Sequence, residues 1–259
     1  MGLLGAVGRL LAFSSLFRSG LGARRFFGIA RILRNPAVGY VAFMINMVLK
    51  NLTLFFDGAD QRAAEYPWVL RQLALFPKGS LILDVGCSES IFSHVLVTRG
   101  FRVVGLDLRD YPFKSEQMSF IKRNLVDSGL PDRLFDGVIM ISTVEHIGLS
   151  VYGQIVLDNS LDFAAIGEVF RMLKQGGILI VTTPFVGAGP DRIQSDERQY
   201  GSDGLERRFK DFEMLREDYF YPYRYHHVLR WVRLTKIQAV STKYRERGMA
   251  CLVLRKNHS

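Results

Sequence analysis

The sequence predicts an α/β fold: a doubly wound, mostly parallel seven-stranded sheet with helices on both faces, preceded by an N-terminal helical extension. Three observations carry this. Short runs of branched apolar residues, such as Leu81-Ile82-Leu83 and Ile178-Leu179-Ile180-Val181, have the length and composition of buried strands. The segments between such runs place apolar residues at helical spacing and stop at glycines. Strand and helix alternate five times, the pattern of a parallel sheet covered on both sides.

Residues 1–58 form the predicted extension and residues 59–259 the α/β domain. The first 56 residues hold no acid but carry Arg9, Arg18, Arg24, Arg25, Arg31, Arg34 and Lys50. Leu3, Leu4, Val7, Leu10, Leu11 and Phe17 fall near one helical face. The apolar run 37–49 is shorter than the ~20 residues a spanning helix needs, and Asn46 and Lys50 interrupt it. No basic stretch precedes the first leucines, which argues against a secretory signal. Three readings stay open for this segment: a helix on an anionic membrane surface, a helical cover on the core, or a targeting peptide.

From Ala59 to Phe76 the pattern is helical, with Tyr66, Val69, Leu70, Leu73 and Phe76 on one face, ended by Pro77-Lys78-Gly79. The first strand, Leu81–Val85, turns through Gly86-Cys87-Ser88-Glu89 into a helix from Ser90 to Thr98 that stops at Gly100. Strands are predicted at Phe101–Asp107, Ser119–Asn124 and Leu134–Ile141. A helix should begin at Thr143. Another spans Leu161–Lys174, with Phe163, Ile166, Val169, Phe170 and Leu173 inward, and Gly176-Gly177 leads into the fifth strand, Ile178–Thr183. After a polar loop, Asp211–Tyr221 and Met249–Leu254 complete seven strands.

The net charge of +9 on 259 residues is concentrated at the two ends. Residues 1–60 set seven basic residues against two acids, and residues 205–259 set thirteen against six. Basic ends suit contact with phosphate, on lipid or nucleic acid; lipid is the stronger reading and nucleic acid the weaker. Cys87 and Cys251 are far apart, without metal spacing, which points to a reducing compartment. The expected location is therefore cytoplasmic, at a membrane face if the first reading of the N-terminus holds. His226-His227 is a vicinal pair, the wrong spacing for a helical metal site, so no metal is expected.

The chemistry gathers around the first strand's end. Asp84 closes the strand, and Gly86 with the small residues after it lets backbone approach a ligand closely. About twenty residues on, Asp107 ends a second apolar strand, where a carboxylate can accept the two hydroxyls of a ribose. Together they indicate a nucleoside cofactor. In the family that these residues resemble, glycine usually stands two and four residues after Gly86, where this chain has Ser88 and Ser90; either the turn keeps to ordinary backbone, with Ser90 capping the helix, or cofactor affinity is lost, and the first is preferred.

Taken in order, residues from about 60 to 255 resemble a class I S-adenosylmethionine-dependent methyltransferase of the type 11 kind. The features are Asp84-Val85-Gly86-Cys87, Asp107, Leu130-Pro131 with Phe135-Asp136, Glu145-His146, and Glu168 through Gly176-Gly177. The resemblance implies S-adenosylmethionine as cofactor, with Asp84, Gly86 and Ser88 at its methionine end. It implies Asp107 at the ribose, and Asn124, Leu108 and Leu125 around the adenine. His146 is then the first candidate for a general base, because histidine exchanges protons near neutral pH, and Glu145 is the second. Arg198 and Tyr200, on the polar loop, are candidates for binding an acidic or sugar acceptor. Glu145-His146-Ile147-Gly148-Leu149 followed by Tyr152-Gly153 is similar to a branch associated with glycan and lipid-linked sugar pathways, implying a sugar or glycan hydroxyl as acceptor. Two readings compete: a nicotinamide-dependent oxidoreductase on a similar sheet, although the Gly-x-Gly-x-x-Gly fingerprint is missing, and a non-catalytic membrane- or RNA-binding domain with a decayed cofactor site.

Overall fold

The computed structural model describes residues 61–111, 116, 118–151, 158–194, 196–225, 228–241 and 247–257. The predicted N-terminal extension, its membrane contact, Tyr152-Gly153 and His226-His227 lie outside the described residues.

The chain runs α1 (Arg62–Gln72), β1 (Leu81–Val85), α2 (Phe92–Thr98), β2 (Arg102–Asp107), β3 (Met118–Lys122), β4 (Phe135–Ile141) and α3 (Leu161–Met172). It continues through β5 (Leu173–Phe185), β6 (Arg192–Gln194), β7 (Glu197–Gln199), α4 (Ser202–Phe209), β8 (Phe212–Tyr225), β9 (Val228–Leu234), α5 (Lys236–Ser241) and β10 (Gly248–Lys256). The main sheet has eight strands in the order β3-β2-β1-β4-β5-β10-β8-β9, and β6 with β7 forms a separate hairpin. β1 to β5 pair in parallel, whereas β10 enters antiparallel between β5 and β8.

The alternation of side chains along the strands builds two cores. Leu83, Val85, Val138, Met140, Leu179 and Val181 face α3, where Ala165, Ile166, Val169 and Met172 meet them. Ile82, Ile139, Ile178 and Ile180 point the other way, onto Trp68, Val69, Leu73 and Phe76 and onto Phe92 and Leu96 of α2. Each fully buried side chain of this size contributes roughly 1.5–3 kcal/mol, so the doubly covered sheet is held mainly by this burial.

Three expectations are corrected. The sheet has an eighth strand, β9, beyond the seven expected; Arg230 and Arg233 hid it, and as an edge strand it can carry such residues. Trp231, on this strand, packs against the α1-side core. The helix expected at Thr143 is a single 3-10 turn, Val144–His146. Phe163 is 40% exposed rather than inward, and the guanidinium of Arg208 lies over its ring at 4.3 Å. Among the described residues no helix is long and apolar enough to cross a membrane.

The topology positions the site. β1 is flanked by β2 on one side and β4 on the other, so the chain reverses its direction of travel across the sheet at β1. A crevice opens beyond the carboxyl ends of strands at such a switch point. The register places Val85 opposite Leu106 and Met140, bringing the ends of all three strands to one edge.

Candidate active site

A cleft of about 270 Å³ lies at that edge. Asp84, Gly86, Asp107, Leu108, Asn124, Leu125, Glu145 and His146 all line it, so eight of the nine expected residues converge there. Ser88 does not. It is buried, its amide donates to Asp107 Oδ2 at 2.9 Å, and its hydroxyl donates to the Arg109 carbonyl at 3.1 Å. Ser88 therefore holds the ribose-site acid in place from behind.

Gly86 adopts φ 77°, in the left-handed region that favours glycine. A Cβ there would stand 2.4 Å from Thr143 Oγ1. A side chain at this position would collide with Thr143, whose hydroxyl donates to the carbonyls at the ends of β1 and β4, Val85 O and Ile141 O, each at 3.1 Å. Ser90 is extended, at φ −132°, so it sits in ordinary backbone; the N-cap of α2 is Ile91 rather than Ser90, although the Ser90 hydroxyl accepts from Phe92 N at 2.9 Å.

Asp107 is 7% exposed, and a second amide, Arg109 N, donates to its Oδ1 at 2.9 Å. With one amide on each oxygen the carboxylate is oriented, and it keeps lone pairs for further donors. Asp84 accepts from Ser93 Oγ at 2.5 Å. Burial pushes its carboxyl up to about 7, with the Ser93 hydrogen bond opposing and the nearby Asp107 charge adding. Asn124 spends its Oδ1 on Val126 N at 3.1 Å, so what it offers the cleft is its Nδ2 donors rather than a donor–acceptor pair. Leu108 is 36% exposed on the cleft, and Leu125 is buried in the α3-side core.

At the other end, Glu145 is 1% exposed and accepts from Thr183 Oγ1 at 3.3 Å. Burial, reinforced by the Glu65 charge, pushes its carboxyl up to about 8. Glu145 is thus protonated at neutral pH, whereas the unfolded carboxyl ionises near 4.5. Between those values the unfolded chain binds fewer protons, so stability falls as pH rises from 4.5 to 8. Glu145→Gln should raise the melting temperature at pH 8 and flatten its dependence on pH; identical melting curves from pH 5.5 to 8.5 would contradict this. His146, half-buried, makes a 2.7 Å hydrogen bond through Nδ1 to the Asp196 carbonyl.

Arg198 and Tyr200 are not in the cleft. They are 2% and 0% exposed and converge with Arg208 on the buried Asp162. The reading of this pair as acceptor ligands is corrected: Tyr200 OH also donates to Val144 O and Arg198 to Ile147 O, so together they fasten the turn that carries Glu145 and His146.

The sequence reading missed Ser142, Glu197 and Arg247, which also line the cleft. Ser142 has φ 46° without being glycine, a signature of functional strain, and its hydroxyl donates to the buried Glu65. Nothing in local sequence pattern marks these three.

A profile described as "Methyltransferase domain" matches residues 58–236. The chain belongs to this family. Its members are S-adenosylmethionine-dependent enzymes, and the nicotinamide and non-catalytic readings fall with that assignment. The methyltransferase domain is similar to a sterol 24-C-methyltransferase from Eremothecium gossypii, 26% identical over 58% of this chain and 40% of that protein. It is also similar to a ubiquinone biosynthesis O-methyltransferase from Pseudomonas fluorescens, 27% identical over 45% of this chain and 48% of that one. The chain thus matches less than half the length of either relative. Among solved structures, the 1,6-didemethyltoxoflavin-N1-methyltransferase of Burkholderia thailandensis, holding its substrate and S-adenosylhomocysteine, shares the fold with a TM-score of 0.55. It is 14% identical and covers 85% of this chain and 90% of its own.

The residues present fit S-adenosylmethionine. Asp84 and Asp107 supply carboxylates for an ammonium and a ribose diol, Leu108 an exposed apolar surface beside Asp107, and Asn124 amide donors.

Proposed function

We propose that the chain methylates a hydroxyl oxygen on a small polar acceptor, a sugar or glycan hydroxyl belonging to this class, with S-adenosylmethionine as donor and His146 as general base. The His146–Asp196 hydrogen bond carries this reading. A carbonyl oxygen only accepts, so Nδ1 bears the proton of the neutral ring and the basic lone pair lies on Nε2. Glu145, protonated beside it, leaves the imidazole as the group suited to take a proton. The O-methyltransferase name of the Pseudomonas relatives supports an oxygen acceptor.

When bound, S-adenosylmethionine supplies an electrophilic methyl group. The chain's own residues do the rest. Asp84 and Asp107 would hold and orient the cofactor, the turn from Val144 to His146 would set the base at the acceptor end, and His146 would take the proton of the acceptor hydroxyl.

Isothermal titration of the full chain tests the cofactor part. S-adenosylmethionine and S-adenosylhomocysteine should both bind, and Asp107→Ala should weaken both by roughly tenfold to a hundredfold, the worth of hydrogen bonds to a charged group. Asp84 must ionise to pair with the ammonium, so affinity should rise about tenfold from pH 6 to pH 8, with proton release at the lower pH. Absence of binding by either compound would overturn the reading.

A further inference from the structure

Arg247 precedes β10, whose first residue, Gly248, pairs with Phe185 at the carboxyl end of β5. Insertion of β10 antiparallel to β5 therefore delivers Arg247 to the ligand edge of the sheet, where it lines the cleft. Its Nε forms an ion pair with Glu197 Oε1 at 3.0 Å, and Gln199 Nε2 donates to the same oxygen at 2.9 Å. The guanidinium is thus aimed by a braced carboxylate. Its Nη1 is buried and has no hydrogen-bond partner among the described residues. The side chain as a whole is 34% exposed, but a donor nitrogen shielded from water is costly to leave unsatisfied, and in a ligand cleft the natural partner is an anionic oxygen on the ligand.

The position of this donor relative to the candidate base sharpens the argument. Glu197 holds Arg247, and the carbonyl of the preceding residue, Asp196, holds His146. One corner at the start of β7 therefore carries both groups, and a single small molecule can meet them together. Glu197 pairs with the guanidinium at Nε, which leaves Nη1 as its donor without a partner among the described residues.

We propose that Arg247 is a specificity-determining residue that selects an anionic acceptor: a small hydroxyl compound bearing a carboxylate or phosphate near the hydroxyl that is methylated. This rests on the acceptor-end reading given above. Nη1 receives the anionic oxygen, and the hydroxyl then lies toward His146.

Matched ligands test this in the full chain loaded with S-adenosylhomocysteine. Glucuronate, glucose 6-phosphate and glucose form one set, and 2-hydroxybenzoate with 2-hydroxybenzamide forms the other. At least one anion should bind about tenfold or more tighter than its neutral counterpart, and whether glucuronate or glucose 6-phosphate does so identifies carboxylate or phosphate. Arg247→Met should erase that preference while leaving S-adenosylhomocysteine affinity within twofold. Should Arg247→Met fail to fold, Arg247→Lys, which keeps the charge but loses the Glu197-braced fork, should lower the preference severalfold. Anions and neutral partners binding alike, no member of either set binding, or a preference that survives these substitutions would overturn the proposal. Failure of S-adenosylhomocysteine to bind wild type would instead overturn the methyltransferase reading beneath it.

Discussion

Asp162→Ala should destabilise the chain by about 3–5 kcal/mol, the range found when one partner of a buried ion pair is removed. Asp162 is fully buried in the first turn of α3; its Oδ2 accepts from Arg208 Nε at 2.5 Å and Tyr200 OH at 3.0 Å and is ion-paired with Arg198 Nη1 at 2.9 Å. Alanine would leave Arg198, 2% exposed, with the carbonyls of Ile147 and Asn159 as its acceptors among the described residues. Arg208 would keep Asp191, at 2.7 Å, and the Gly204 carbonyl. A loss of this size is a large part of a typical domain stability of about 5–15 kcal/mol and should lower the melting temperature by roughly 10 °C. Asp162→Asn, which keeps acceptor oxygen and shape but not charge, should fall between wild type and alanine. Urea and thermal unfolding followed by circular dichroism measure both. A change below about 1 kcal/mol for alanine would mean that the two arginines find other partners, and that the clamp on the Val144–His146 turn is not what holds it.

His146→Gln should reduce kcat by about a hundredfold to ten-thousandfold, the span of general-base catalysis, while S-adenosylhomocysteine affinity stays within twofold. Glutamine can still donate to the Asp196 carbonyl, so the turn survives, but it cannot take a proton. The two readouts separate the base from a structural role: a structural residue would lower cofactor affinity or melting temperature together with rate. An unchanged rate would remove His146 from the chemistry and turn attention to acceptors that ionise unaided.

Much of this could be read from residues alone because the determinants are local. Ile82 and Leu83 alternate between two cores, and so do Ile139 and Met140; a run of branched apolar residues is what a doubly covered strand requires. Asp84, Asp107 and Glu145-His146 stand at strand ends, and parallel pairing of short strands necessarily gathers such ends at one edge. That is why eight of nine expected residues meet in one cleft. Ser88 was misplaced for a physical reason: along a turn, successive groups alternate between ligand and interior, and composition does not say which way a serine points.

The sequence by itself determined the parallel half of the sheet, the glycine turn and the order of acids along the edge, because strand periodicity and backbone conformation depend on neighbours only a few residues away. Tertiary structure alone decided the rest. Arg247 reaches Glu197 across fifty residues only because β10 is inserted antiparallel beside β5. Arg198 and Tyr200, polar in a polar-looking loop, are interior because Asp162 lies buried opposite them. Buried charges find partners by proximity in space, and the pairing leaves no period in the chain. The cofactor end of the cleft is written locally, and the acceptor end is assembled from afar.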